Sequence, residues 1–85
     1  MVLENRELRA LPLWLMRDYL LELGGVEKPD GSIEGDGWQA RLTQLEDFSI
    51  GSLKVGQIRL EWQAEEAANA RVWPILEKKL LRAGG

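Results

Sequence analysis

Apolar and polar positions alternate most cleanly in the middle of the chain, between Gly35 and Gln63. Ile58, Leu60 and Trp62 interleave with Gln57, Arg59, Glu61 and Gln63; upstream, Trp38, Ala40 and Leu42 interleave with Gln39, Arg41 and Thr43. A period of two belongs to strands with one apolar and one polar face. The spacing predicts a hairpin with strands over Trp38–Leu42 and Val55–Trp62. Ile50-Gly51-Ser52 lies in the connection, where glycine tolerates the positive φ of a tight turn. After Thr43 the phase changes at Leu45 and Phe48, which predicts a bulge or a strand end. Gly56 predicts a bulge in the second strand or a close approach by another backbone. A sheet patterned this way is antiparallel, open to solvent on one face and covered on the other. A lone hairpin is marginal in water, so the flanking segments must supply the cover.

Those segments carry helical patterning. Met1 to Leu3 is either a disordered start or a brief edge strand. From Asn5, a candidate N-cap, the chain reads as helical. Pro12 then opens a main helix at its first position, running to Leu23 and closed by Gly24-Gly25. Leu13, Leu15, Met16, Tyr19, Leu20 and Leu23 share one broad face of it. Trp14 and Leu21 fall on the far side. Either the loop after Gly25 or the N-terminal arm folds over them, or they form a partner surface, since contiguous exposed apolar patches mark interaction sites. A last helix begins around Ala64-Glu65-Glu66, with acids in its first turn and Lys78, Lys79 and Arg82 at its end, both favourable to the helix dipole. Ala68, Val72, Ile75, Leu76 and Leu80 share a face, with Trp73 at its edge. Pro74 points to solvent and predicts a kink or restart. Leu81 lies off the stripe and would extend the Trp14–Leu21 surface if the two helices lie side by side.

Composition narrows the chemistry. Eighty-five residues predict a single α+β domain over 1–85, with a small core that four tryptophans enlarge. The chain has no Cys and no His, which removes thiolate chemistry, the commonest general base and the commonest metal ligand. No catalytic constellation stands out among Asp36, Glu46, Asp47 and Glu61, so an enzyme and a cofactor are not expected. The loop from Val26 to Gly37 carries Glu27, Asp30, Glu34 and Asp36, but not at the spacing of a calcium loop. It reads as a solvated loop with turns at Pro29-Asp30-Gly31 and Asp36-Gly37. A net charge of −3 disfavours nucleic acid, and Arg41 and Arg59 share their face with Glu61. No apolar run reaches transmembrane length, and the start lacks the basic region of a signal peptide, so a cytoplasmic protein with no membrane contact is expected.

The chain ends in Gly84-Gly85, which reads either as an ordinary helix end or as the tail of a sulfur carrier, where a terminal glycine carboxylate is activated by an adenylating partner.

Taken in order, the helix Leu13-Trp14-Leu15-Met16-Arg17-Asp18-Tyr19-Leu20-Leu21 before Gly24-Gly25, then Gly35-Asp36-Gly37-Trp38, Ile50-Gly51-Ser52-Leu53, the strand Ile58 to Trp62 and the end Arg82-Ala83-Gly84-Gly85 resemble a known domain. It is the C-terminal domain that follows a molybdopterin-synthase small-subunit-like (MoaD-like) domain in some bacterial proteins. The resemblance covers nearly the whole chain. It implies a two-layer α+β fold, an antiparallel sheet covered on one face by two helices, of the TATA-binding-protein-like type. It implies no reaction and transfers no catalytic residues. Nothing resembling the carrier domain precedes Leu11, so the link to molybdenum cofactor or sulfur-carrier proteins is one of association only.

Three readings follow. The first is a non-catalytic interaction or accessory domain, with a protein partner or a second copy of itself docking at Trp14, Leu21 and Leu81. The second is a domain that binds a small apolar ligand between Trp38, Trp62, Trp73 and Tyr19, against the commoner alternative that these rings fill the core. The third is a sulfur-carrier-like protein using Gly84 and Gly85.

Overall fold

A computed structural model describes residues 1–82. Seven elements follow one another: β1 (Val2–Arg9), α1 (Leu13–Glu22), β2 (Val26–Glu27), β3 (Ile33–Gly35), β4 (Trp38–Ile50), β5 (Leu53–Ala64) and α2 (Glu66–Arg82). The strands form one sheet in the order β1-β5-β4-β3-β2, with every neighbouring pair antiparallel. The fold is α+β. The buried side chains of β4 and β5 (Trp38, Ala40, Ile58, Leu60, Trp62 and Ala64) meet Met16 and Leu20 of α1 and Val72, Leu76 and Leu80 of α2 in a single core. Cross-strand pairing puts these residues on one face of the sheet: Trp38 opposite Ala64, Ala40 opposite Trp62, Leu42 opposite Leu60.

The central hairpin is longer than its alternation suggests. β4 does not end after Thr43. It runs on to Ile50 through a register shift between Leu45 and Phe48, where Glu46 and Asp47 together oppose Gly56. The bulge therefore lies on β4, not on the strand that carries Gly56, and an added Cβ at Gly56 would meet nothing within 4 Å. Ile50 pairs with Leu53 across a two-residue turn, with Gly51 at positive φ in its first position, the geometry of a type II′ hairpin turn.

β1 replaces the expected helix from Asn5. Glu7, Leu8 and Arg9 are good helix formers, but the segment pairs with β5 along its whole length, from Val2 opposite Ala64 to Arg9 opposite Gln57. The intact hydrogen-bond ladder outweighs a propensity difference of a few tenths of a kcal/mol per residue. Ala10 adopts a left-handed φ of 62° and donates its N–H to the Gly56 carbonyl, turning the chain so that Leu11 enters the core.

α1 has Pro12 just outside its first turn, with its carbonyl accepting from Leu15 and Met16. It closes in a Schellman motif: Gly24, at φ 96°, donates to Leu21 and Gly25 donates to Leu20. α2 is continuous through Pro74, which is exposed as expected. Ile75 is 47 % exposed and so leaves the buried stripe assigned to it. The acidic loop is partly ordered as β2 and β3, a small hairpin at the end of the sheet.

Candidate functional site

α1 presents Trp14 and Leu21 outward, 58 % and 39 % exposed, so neither the loop after Gly25 nor the N-terminal arm covers them. Seven residues apart, they lie about 10 Å apart along the helix. Trp14 forms one wall of an open groove of about 490 Å³, together with Ala10, Leu11, Pro12, Leu13, Gln44 and Gly56.

Leu81, 77 % exposed, lies elsewhere. The helices do meet, through Lys79 Nζ on Glu22 at 2.6 Å and over the Tyr19 ring. Leu81, however, lines a separate groove of about 150 Å³ with Arg6, Leu8, Glu77 and Leu80, beside β1. The expected Trp14–Leu21–Leu81 surface is therefore two surfaces. Helical spacing places residues around one helix; it does not say which strand each side of that helix overlies.

A third apolar area escaped the periodicity. Beyond the bulge the hairpin's apolar residues change sides. Arg9 stacks its guanidinium 3.7 Å from the Phe48 ring while donating to Gln57 on the open face of the sheet. Phe48 pairs with Val55 and Ile50 with Leu53, so the four sit together on that open face, and Ile50 and Leu53 are 58 % and 67 % exposed. The phase change at Leu45 and Phe48 was the sequence signal for this switch.

Of the aromatic residues proposed to line a ligand cavity, Trp38, Trp62 and Trp73 pack on one another, while Tyr19 lies at the core's margin under Lys79. Trp38 and Trp62 stack with centroids 5.1 Å apart, and Trp73 tilts against Trp62 at 5.2 Å. The Trp62 indole N–H donates to Asn69 and that of Trp73 to Glu77. These rings occupy the space between sheet and α2.

Elsewhere on the open face, charges are dispersed. Arg59 pairs with Glu7 at 3.8 Å, and Arg41 stands opposite Glu61 and reaches Asp30 at 3.5 Å. The loop carboxylates are also separated: Glu27 pairs with Arg17 and Glu34 with Lys28. Among the described residues, no group of three or more carboxylates is placed to hold a metal ion. Nor is any described helix long and apolar enough to cross a membrane.

Asp30 builds the turn of this loop. It accepts from the hydroxyl (2.6 Å) and N–H (2.9 Å) of the buried Ser32. The Ser32 hydroxyl above all, then its N–H and the Arg41 charge, hold the Asp30 carboxyl below its ordinary value of 3.8. A carboxylate depressed in the folded state favours folding above its unfolded value and loses that contribution as pH falls through the folded one. Asp30→Asn is therefore expected to flatten the acid limb of a Tm-against-pH curve, with the difference from wild type opening below about pH 5. Parallel acid limbs in the two proteins would assign the dependence to other carboxylates.

The architecture defines a small two-layer α+β protein: one sheet face carries both helices and the other is bare, with apolar side chains left outside the core at several separate places. The chain matches the family described as archaeal MoaD-like protein over residues 4–85, and it belongs to that family. A comparison with curated proteins finds no match. The carrier-tail residues Gly84 and Gly85 lie outside the described residues; the element that leads to them is the helix α2.

Proposed function

We propose that this protein is a non-catalytic interaction domain that works beside sulfur-carrier or molybdopterin-related proteins, in the manner of the C-terminal domain that accompanies a MoaD-like domain in some bacterial proteins. The observation that carries the reading is Trp14. A tryptophan more than half exposed at the lip of an apolar groove costs solvation free energy in the free protein, and this is the kind of residue that dominates binding energy when a partner covers it. The family match supports the class of partner. A protein surface suits this groove better than a small ligand, because it is open and lined mostly by apolar residues.

The test is a calorimetric titration of the protein with a purified molybdopterin-synthase small-subunit-like carrier. Saturable binding is expected, weakened on the order of 30-fold or more by Trp14→Asp, the loss of an aromatic hot spot of at least about 2 kcal/mol. Far-UV circular dichroism of the variant should stay native, since Trp14 lies outside the core. Binding unaffected by Trp14→Asp would move the partner to another surface. Absence of binding to the carrier would remove the proposed association.

A further inference from the structure

The outer edge of β1 is the longest straight edge of the sheet, and its sequence is complementary to itself. β1 is the terminal strand, so its far side has no partner among the described residues. Such an edge is a template for a further strand. Two copies related by a two-fold axis perpendicular to the sheet would pair antiparallel, residue i of one opposite residue j of the other, with i and j on the same face.

Two centres set unlike charges opposite each other, and Asn5 uses more of the strand. Leu8 on the axis would face Glu7 with Arg9, but the chain turns away at Ala10 and Arg9 already stacks on Phe48 and donates to Gln57. With Asn5 on the axis, Glu4 faces the second copy's Arg6, Arg6 faces its Glu4, and Val2 faces its Leu8. All of these lie on the helix-covered face, since Glu4, Arg6 and Leu8 pair with Trp62, Leu60 and Ile58. On the open face Asn5 meets its own copy and Leu3 stands opposite Glu7. Moving the axis one residue either way puts Glu4 against Glu4 or Arg6 against Arg6, and two residues on puts Glu7 against Glu7. Like charges directly opposite are destabilising and opposite charges stabilising. Of the other free edges, the terminal strand β2 is two residues long, and residues 41–45 of β4, beyond its pairing with β3, carry a single charge and no complement to it.

The edge is also set up for this contact. Arg6 is held in place by Glu77 at 3.3 Å and by the Trp73 ring 5.3 Å away, and it reaches Glu4 of its own strand at 3.9 Å, a pair that the second copy's Glu4 and Arg6 would extend into a four-charge cluster. Leu81, exposed with no role in the core, borders the groove formed with Leu8 and Leu80. The same register brings the second copy's Val2 beside Leu8 at the mouth of that groove.

We infer that the protein self-associates through β1, forming a two-fold dimer with a continuous ten-stranded sheet, both helical layers on one side, and Glu4–Arg6 pairs flanking Asn5 at the axis. This goes beyond the Trp14 reading and does not depend on it, because the two surfaces share no residue.

The chain has no cysteine, so a single one reports position directly. Directly opposed residues in an antiparallel pair have Cα atoms about 4.5–5.5 Å apart, within disulfide reach. Asn5→Cys is expected to give a covalent dimer on mild oxidation, while Leu3→Cys, whose copies are offset, is not. Light scattering after size exclusion should show dimers for wild type. Glu4→Arg and Arg6→Glu should each weaken self-association on the order of 100-fold. Mixing these two variants should restore a dimer, because each then meets the charge it lacks. Wild-type monomer throughout, or a dimer indifferent to both charge reversals with no Asn5→Cys cross-link, would overturn the inference. Either result would leave the carrier titration, which reads Trp14, as a separate test of the proposed function.

Discussion

Trp62→Ala is expected to cost about 3–5 kcal/mol, the range for emptying a large buried aromatic site. Trp62 is 1 % exposed and lies between Trp38 and Trp73, so its removal leaves both neighbouring rings with a void between them. It also frees Asn69, which accepts the indole N–H at 2.9 Å and so ties α2 to the sheet. Domains of this size have a total stability of only about 4–13 kcal/mol, so the variant should unfold at a far lower urea concentration or fail to fold at room temperature. Trp62→Phe keeps a ring in the site and loses the hydrogen bond, and should fall well short of the alanine variant. Urea midpoints followed by far-UV circular dichroism check both. A loss below about 1 kcal/mol for the alanine variant would mean that the three-ring cluster does not hold the layers together.

Gly35→Ala should cost about 1–3 kcal/mol, for overpacking rather than cavity formation. The Trp38 indole lies flat on Gly35, and a Cβ there would collide with it. Trp38 would have to leave its rotamer and with it the stack on Trp62. The expected signature is loss of near-UV circular dichroism with far-UV signal retained, and a lowered Tm. Gly56→Ala is the matched control: it too is a strand glycine, but an added methyl meets open space there, and a change within about 0.5 kcal/mol is expected. Equal effects at both positions would mean that the Trp38 contact does not account for the loss at Gly35.

Much of this was legible in the chain. Period two over Trp38–Leu42 and Ile58–Trp62 is a local property of an extended backbone, and it correctly marked the covered face of the hairpin. The glycine pair after Leu23 and the glycine at position 51 mark chain reversals by their own conformational freedom, again without help from distant residues. The main helix and its buried face, Met16 and Leu20 at its centre, followed from spacing alone. So did the outward placement of Trp14 and Leu21.

Sequence and structure part where distant residues decide. Whether Asn5 to Arg9 forms a helix or a strand depends on β5 offering a ladder of N–H and C=O groups some fifty residues away, and no local preference carries that information. A helical wheel gives only angles around α2, whereas Arg6 and Leu8 of β1 determine which groove Leu81 borders. Ile75 lost its place in the core for the same reason: α2 meets the sheet along a narrower stripe than its apolar pattern. The bulge was foreseen at Leu45 and Phe48. Its consequence, an apolar cluster on the open face at the end of the hairpin, required knowing which strand absorbed the extra residue. Local periodicity and turn chemistry thus determined the central hairpin, the two helices and most of their buried faces, but not β1, β2 or β3. Which edges stay free, which grooves form beside them and where charges face outward depended on strand order, a property of long-range pairing that only the tertiary structure supplies.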